Sequence, residues 1–310
     1  MNRKNMFCSF VAVKCVIFSE VSIGIPANAF LLLFHLSFLL KHKLKPTDLT
    51  IGHLALIHLV TLIIAGLVSM DVFQSQGQSW DGIACKALFY LYQVLRGLSL
   101  GNTFLLSVLQ AIALSPRSSW MAKFKQTSSH HSLCIFLFAW VFSLSMSVHL
   151  LICAVASTNH TSSNVMAVTK SCSLWILSYF PRHLLSILWI FQDVSLTGLM
   201  ALSSAYMVTL LCRHKRQSRH LHSTRLSPRA SPELRATRTI LLLMGVFVLL
   251  YWLDCIMYSL STMRWNIDSV HMCVQMLVST GYASIAPLLL ISRERRIIQF
   301  LKSMSKTESF

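Results

Sequence analysis

Seven apolar runs, each near the roughly 20 residues that a helix needs to cross the hydrocarbon of a bilayer, constrain this chain more than any other feature. They fall at about 14–40, 49–73, 85–114, 132–156, 184–212, 239–261 and 269–291. Backbone groups find no water in hydrocarbon, so each run must close its own hydrogen bonds as a helix. Composition agrees: 55% of the 310 residues are hydrophobic and 12% are charged, about half the charge of a soluble domain. The expected fold class is an all-α membrane protein, a seven-transmembrane-helix bundle forming one domain over 1–310, with a short cytoplasmic tail at 292–310. The first ten residues lack the regions of a cleavable signal peptide, so the first run is expected to direct insertion. Pro181 and Arg182 blur the start of the fifth run, and Asp193 interrupts it.

The formal net charge is +17, which in a soluble protein would suggest nucleic acid. Here the placement of the charges decides. Lys41, Lys43 and Lys45 lie in the first loop, and Arg117, Lys123 and Lys125 in the third. The fifth loop holds Arg213, Lys215, Arg216, Arg219, Arg225, Arg229, Arg235 and Arg238; the tail holds Arg293, Arg295, Arg296, Lys302 and Lys306. These alternate segments carry nineteen of the twenty-seven basic residues. The positive-inside rule puts them in the cytoplasm, with the N-terminus outside. The charge then belongs to topology and anionic inner-leaflet lipid, and no nucleic-acid partner is expected.

Two further signals agree with this orientation. Asn159-His160-Thr161 is an N-glycosylation acceptor in the outer fourth loop, and such acceptors are used only on the lumenal side. Cys85 and Cys172 both fall outside, where the compartment is oxidising. They are two thiols or one disulfide, and the disulfide is favoured because it would staple the outer loop over the bundle. The nine cysteines form no zinc-type spacing, and neither a metal nor a cofactor is expected.

The third run, Cys85 to Pro116, would be roughly 45 Å long as a helix. Measured from Tyr92 at 100° per residue, Arg96, Ser99, Thr103 and Gln110 return within about 40°. Polar groups in membranes face other helices or a wet cavity, so this helix is expected at the centre of the bundle. Arg96, Asp193 and Asp254 are read as ionisable residues in the outer halves of their runs. They either line an outward-opening ligand cavity with Arg96 at its floor, or form an ion pair that holds helices together. Tyr251, Trp252 and Tyr258 near Asp254 are candidates for the wall of that cavity, or plain packing. His53 and His58 lie about 140° apart on a helix, so they do not chelate together and are expected as packed, hydrogen-bonded histidines.

On the residues alone, a receptor that binds a small molecule outside and signals inside competes with a secondary transporter and an intramembrane enzyme. A transporter predicts an internal repeat and paired broken helices, but no repeat between the halves is visible and seven spans do not divide evenly. An enzyme of this kind predicts motifs such as His-Glu-x-x-His or Gly-x-Ser-x-Gly, and neither occurs.

Three stretches then carry a likeness to a known family: Arg96 to Lys125 (RGLSLGNTFLLSVLQAIALSPRSSWMAKFK), Ser227 to Asp254 (SPRASPELRATRTILLLMGVFVLLYWLD) and Ser279 to Ile298 (STGYASIAPLLLISRERRII). In them the chain resembles the vomeronasal type-1 receptors, seven-span G-protein-coupled pheromone receptors, and the likeness covers essentially its whole length. The outer cysteine pair and the Asn-x-Thr acceptor look like that family's. Asn28 and Trp140 resemble the anchors of the first and fourth spans of the wider rhodopsin-like group. The chain departs from that group in having Leu109-Gln110-Ala111 where the third span would end in Asp-Arg-Tyr, His58 in place of a sodium-binding Asp, and Ala286-Pro287 with Leu290 in place of Asn-Pro-x-x-Tyr.

The resemblance implies a plasma-membrane receptor of vomeronasal sensory neurons that binds small semiochemicals and activates a heterotrimeric G protein of the Gi/Go class. The ligand-binding candidates are Tyr92, Arg96, Asp193, Asp254 and Tyr258. The G-protein contact is expected at the inner ends of the third and sixth helices and the loop between Arg213 and Arg238, with Gln110, Arg235 and Arg238 as candidates. That loop equally suits a linker held to membrane lipids by its charge.

Overall fold

A computed structural model of the chain describes residues 3–41, 46–73, 80–115, 129–156, 165–167, 172–175, 179–221, 241–242, 245–254, 256–257, 269–293 and 297–298. The elements are α1 (Arg3–Lys41), α2 (Pro46–Phe73), α3 (Gly82–Leu114), α4 (Ser129–Ser147), α5 (His149–Cys153), β1 (Ala154–Ala156), β2 (Val165–Ala167), β3 (Cys172–Trp175), α6 (Tyr179–Leu221), α7 (Gly245–Asp254) and α8 (Ser269–Arg293).

Local chemistry sets several of these ends. Pro46 opens α2 at the first helical position, where its missing N–H costs nothing, and Asp48 in the first turn complements the helix dipole. Asp81 caps α3, its Oδ1 accepting the N–H of Ala84 at 2.9 Å. Ser115 ends α3 in extended backbone at φ −60° and ψ 136°, the region the following Pro116 imposes on it.

Among the described residues, four helices are long and apolar enough to cross a membrane: Val11–Ser37, Pro46–Met70, Cys134–Cys153 and Ile190–Leu210. Shorter apolar helices run over Gly245–Asp254 and Met276–Ser292. On α4, Leu137, Phe138 and Val141 are exposed to 66%, 71% and 62%. In water such a face would be a liability, whereas against lipid it is the ordinary outer surface of a helix. The chain is a helical membrane protein.

α3 packs on α2, α4, α5 and α6, and α1 packs on α2 and α8. The core follows from that arrangement. Val94, Leu95 and Leu98 of α3 pack with Ile57 and Ile64 of α2. A larger cluster joins Leu31, Phe34, Leu100, Leu106, Met200, Phe247, Tyr282 and Leu290.

Two differences from the sequence reading concern the fourth run. It is not one helix from 132 to 156: the chain breaks at Val148, whose N–H reaches the carbonyl of Ser145 at 3.4 Å, and α5 follows. Residues 154–156 are then strand, part of an antiparallel sheet of order β1-β3-β2 that pairs Ala154 with Leu174 and Met166 with Leu174. Short alternation within a polar loop gave no pattern from which to expect it. A disulfide between Cys85 in the first turns of α3 and Cys172 at the start of β3 ties this sheet to the bundle, with the two Cα atoms 5.6 Å apart.

Candidate functional site

Arg96 reaches the interior from α3, eleven residues on from Cys85, roughly 16 Å along the helix from the disulfide. Its Nη2 lies 2.6 Å from Oδ2 of Asp254 on α7 and 3.4 Å from Oδ2 of Asp193 on α6. The hydroxyl of Tyr251 donates to the other oxygen of Asp193 at 3.0 Å. The guanidinium carbon stands 5.0 Å from the centre of the Tyr251 ring, within the range of a cation–π contact. Tyr251 and Asp254, three residues apart, share one face of α7, and so meet the same arginine. One cation and two carboxylates thus join three helices in a buried cluster.

A cavity adjoins this cluster. α2 contributes His58 and Thr61; α3 contributes Tyr92, Arg96 and Ser99; α7 contributes Phe247, Leu250, Tyr251 and Asp254; α8 contributes Val278, Tyr282 and Ala283. Its volume is about 40 Å³. That is room for about three waters, so a larger guest must spread the helices or displace side chains. Part of its wall is aromatic. Phe247 and Tyr282 meet edge to face at 4.3 Å, and His58 stands edge-on to Tyr282 at 5.2 Å. His58 Nε2 is 2.9 Å from Ser99 Oγ. Thr103 donates to the Ser99 carbonyl at 2.7 Å and faces the Tyr282 hydroxyl at 3.5 Å.

The polar stripe of α3 therefore divides by depth. Tyr92, Arg96 and Ser99 line the cavity, Thr103 is buried beneath it, and Gln110 is half-buried further along the helix. Of the sequence candidates, Tyr92, Arg96 and Asp254 lie on the cavity wall, while Asp193 touches Arg96 and Tyr251 from behind. Tyr258, Asn159, Arg235 and Arg238 lie outside the described residues. Trp252 does not line the cavity: it is 58% exposed on the outer face of α7, because it is one residue on from Tyr251 and so about 100° round the helix.

His53 and His58 go to different neighbours, as their angular separation implies. Trp140 Nε1 of α4 donates to His53 Nε2 at 3.1 Å, and the Asn102 side-chain amide of α3 is 2.8 Å from His53 Nδ1. Accepting from Trp140 leaves the neutral ring its proton on Nδ1, which then needs the oxygen of Asn102 towards it. This places a polar knot between α2, α3 and α4. Among the described residues no three of His, Cys, Asp and Glu gather as metal ligands.

Glu20 was not among the ionisable residues expected inside the spans. It is half-buried in α1 and accepts from Thr280 Oγ1 of α8 at 3.0 Å, while Ser284 Oγ donates to the Glu20 carbonyl at 3.1 Å. An acid in an apolar run was signal enough to find it. Thr61, Val278 and Tyr282 gave no such signal, since small and aromatic residues in apolar runs are usually packing.

Residues 11–303 match the family described as "Vomeronasal organ pheromone receptor family". The chain is similar to vomeronasal type-1 receptor 90 of Rattus norvegicus, with 52% identity over 305 residues and 98% of each chain covered. It is 47% identical to vomeronasal type-1 receptor 53 of Mus musculus and 46% identical to vomeronasal type-1 receptor 101 of Rattus norvegicus, again over 98% of each chain.

Proposed function

This chain belongs to the vomeronasal organ pheromone receptor family, and from that premise we propose that it is a seven-span, G-protein-coupled receptor for small semiochemicals at the plasma membrane of vomeronasal sensory neurons. The observation that carries the reading is the convergence of α2, α3, α7 and α8 on one cavity that Arg96 and Asp254 line. A ligand seated there touches helices that are otherwise joined by ions, so it can change how they pack. That is the requirement for passing a signal without doing chemistry on the ligand.

The basic residues of alternate segments support an outer N-terminus and an inner C-terminus. The Cys85–Cys172 bond then belongs to the outer end, since that compartment is oxidising. Glycosylation at Asn159 fits the same orientation. On the inner side the partner is a heterotrimeric G protein of the Gi/Go class, received by the inner ends of the third and sixth spans near Gln110, Arg235 and Arg238. Calcium imaging of cells that express the chain with a suitable Gα tests this. Urinary fractions and defined small molecules should evoke responses that Arg96→Gln and Asp254→Asn weaken at matched surface level. Responses that neither substitution changes would remove the cavity from the mechanism.

A further inference from the structure

The charge in the cavity is unequal. Arg96 is its cation, and two carboxylates already hold it, at 2.6 Å from Asp254 and 3.4 Å from Asp193. A third partner, the face of Tyr251, covers the guanidinium from one side. Among the described residues no other Arg or Lys lines the cavity. An incoming carboxylate or sulfate would have to take Arg96 from one of its acids and leave that acid buried without a counter-charge, which is the costly half of breaking a buried pair.

A ligand that brings a donor meets the opposite situation. Asp254 is on the cavity wall, whereas Asp193 is behind Arg96. Oδ2 of Asp254 is engaged by Arg96. Among the described residues two carboxylates thus face one guanidinium, beside a part of the wall built from Phe247, Leu250, Val278 and Tyr282.

We propose that this cavity takes a small protonated amine with an apolar body, its ammonium donating to Asp254, and rejects the matching anions. The proposal rests on the reading of the cavity as the ligand site and names the chemistry of what enters it. The amine restores charge balance to the cluster without displacing Arg96. Its hydrocarbon goes against the aromatic wall, where burial of apolar surface supplies affinity. Aromatic faces near the ammonium add to this. A three-water cavity must widen to admit the hydrocarbon, and this widening between α7 and its neighbours is the conformational change that the ligand would stabilise.

The test uses the purified full-length receptor in lipid nanodiscs, with thermal unfolding followed in the presence of butylamine to octylamine and of the carboxylate and sulfate of each chain length. At about tenfold excess over its dissociation constant, a binding amine raises the midpoint by roughly 2–4 °C. The anions leave it unmoved. Asp254→Asn removes the shift, and this variant keeps a balanced Arg96–Asp193 pair, so its fold is expected to hold. Asp254→Glu, which keeps the charge, retains it in part. A series in which no amine stabilises, in which a matched anion stabilises as well, or in which the amine shift survives Asp254→Asn, overturns the proposal. The cavity reading fails separately, when cellular responses to urinary fractions are indifferent to both Asp254→Asn and Arg96→Gln.

Discussion

The side-chain amide of Asn28 in α1 donates to the carbonyl of Ala283 in α8 at 2.9 Å, and it does so because of Pro287. In a regular helix the N–H of residue 287 would satisfy the carbonyl of residue 283. Proline has none. Asn28 supplies the missing donor across 255 residues of sequence, and its second N–H goes to Gly24 O at 2.8 Å. Both acceptors are carbonyls, so the orientation of the amide is fixed by its surroundings.

Asn28→Ala should therefore leave a buried carbonyl without a donor, at a cost of about 1–3 kcal/mol. Pro287→Ala returns an N–H to that carbonyl. Thermal unfolding of the detergent-solubilised protein should show a clearly smaller loss for Asn28→Ala in the Pro287→Ala background than in the parent. Equal losses in the two backgrounds would mean that the amide acts on something other than the proline gap.

Gly24 sits one turn before Asn28 on the same interface. A Cβ there would meet Leu62 Cδ1 at 2.7 Å, Ser284 Oγ at 2.9 Å and the Ser284 Cα at 3.2 Å. The last of these is backbone and cannot rotate away. Gly24→Ala is expected to push α1 off α8, costing about 1–3 kcal/mol as overpacking does. Gly101, with nothing within 4 Å of its Cβ position, is the control. Gly101→Ala should stabilise by about 0.5–1 kcal/mol through lower backbone entropy in the unfolded chain. If both substitutions move the unfolding midpoint the same way, helix propensity outweighs the close approach.

Arg96 separates support of the fold from recognition. Arg96→Gln leaves Asp193 and Asp254 facing each other without a cation, and removal of one partner from a buried pair costs about 3–5 kcal/mol. Flow cytometry of an N-terminal epitope should show a marked fall in surface level. Arg96→Gln combined with Asp254→Asn should recover much of it, because the double variant has one charge fewer of each sign. It should still respond poorly to ligand, having lost both cavity-lining ions. A double variant that regains full responsiveness would make the cluster a scaffold only.

Much of this was legible in the sequence because membranes leave few solutions. Hydrophobic run length gave the helices, and the 100° step along Tyr92, Arg96 and Ser99 gave the face that lines the cavity. Asp254 and Asp193 were legible as charges that need a reason to sit in hydrocarbon, but which of them faces the cavity depends on how α6 and α7 pack against α3, and no single-helix periodicity contains that. The Asn28–Ala283 bond was hidden for the same reason. The resemblance marked Asn28 as an anchor, while its partner is a backbone carbonyl whose availability comes from a proline four residues further on. The β1-β3-β2 sheet was invisible because three-residue strands carry no period.

The inner face offers the last prediction. α6 continues as helix to Leu221, so Arg213, Lys215, Arg216 and Arg219 extend a helix beyond the apolar run, whereas Arg235 and Arg238 lie just before the sixth run. A G protein that inserts a helix beside a moving sixth span would touch the second group. Anionic lipid would hold any of these charges at roughly 1 kcal/mol each near the surface. The two accounts differ in position dependence. Neutralising Arg235 and Arg238 should weaken ligand-evoked Gα activation by about tenfold or more, the equivalent of 1.4 kcal/mol, at matched surface level. Neutralising Arg219, Arg225 and Arg229 should change it little, although three charges are lost. Graded losses that follow only the number of charges removed would assign the segment to lipid and take the docking role from Arg235 and Arg238.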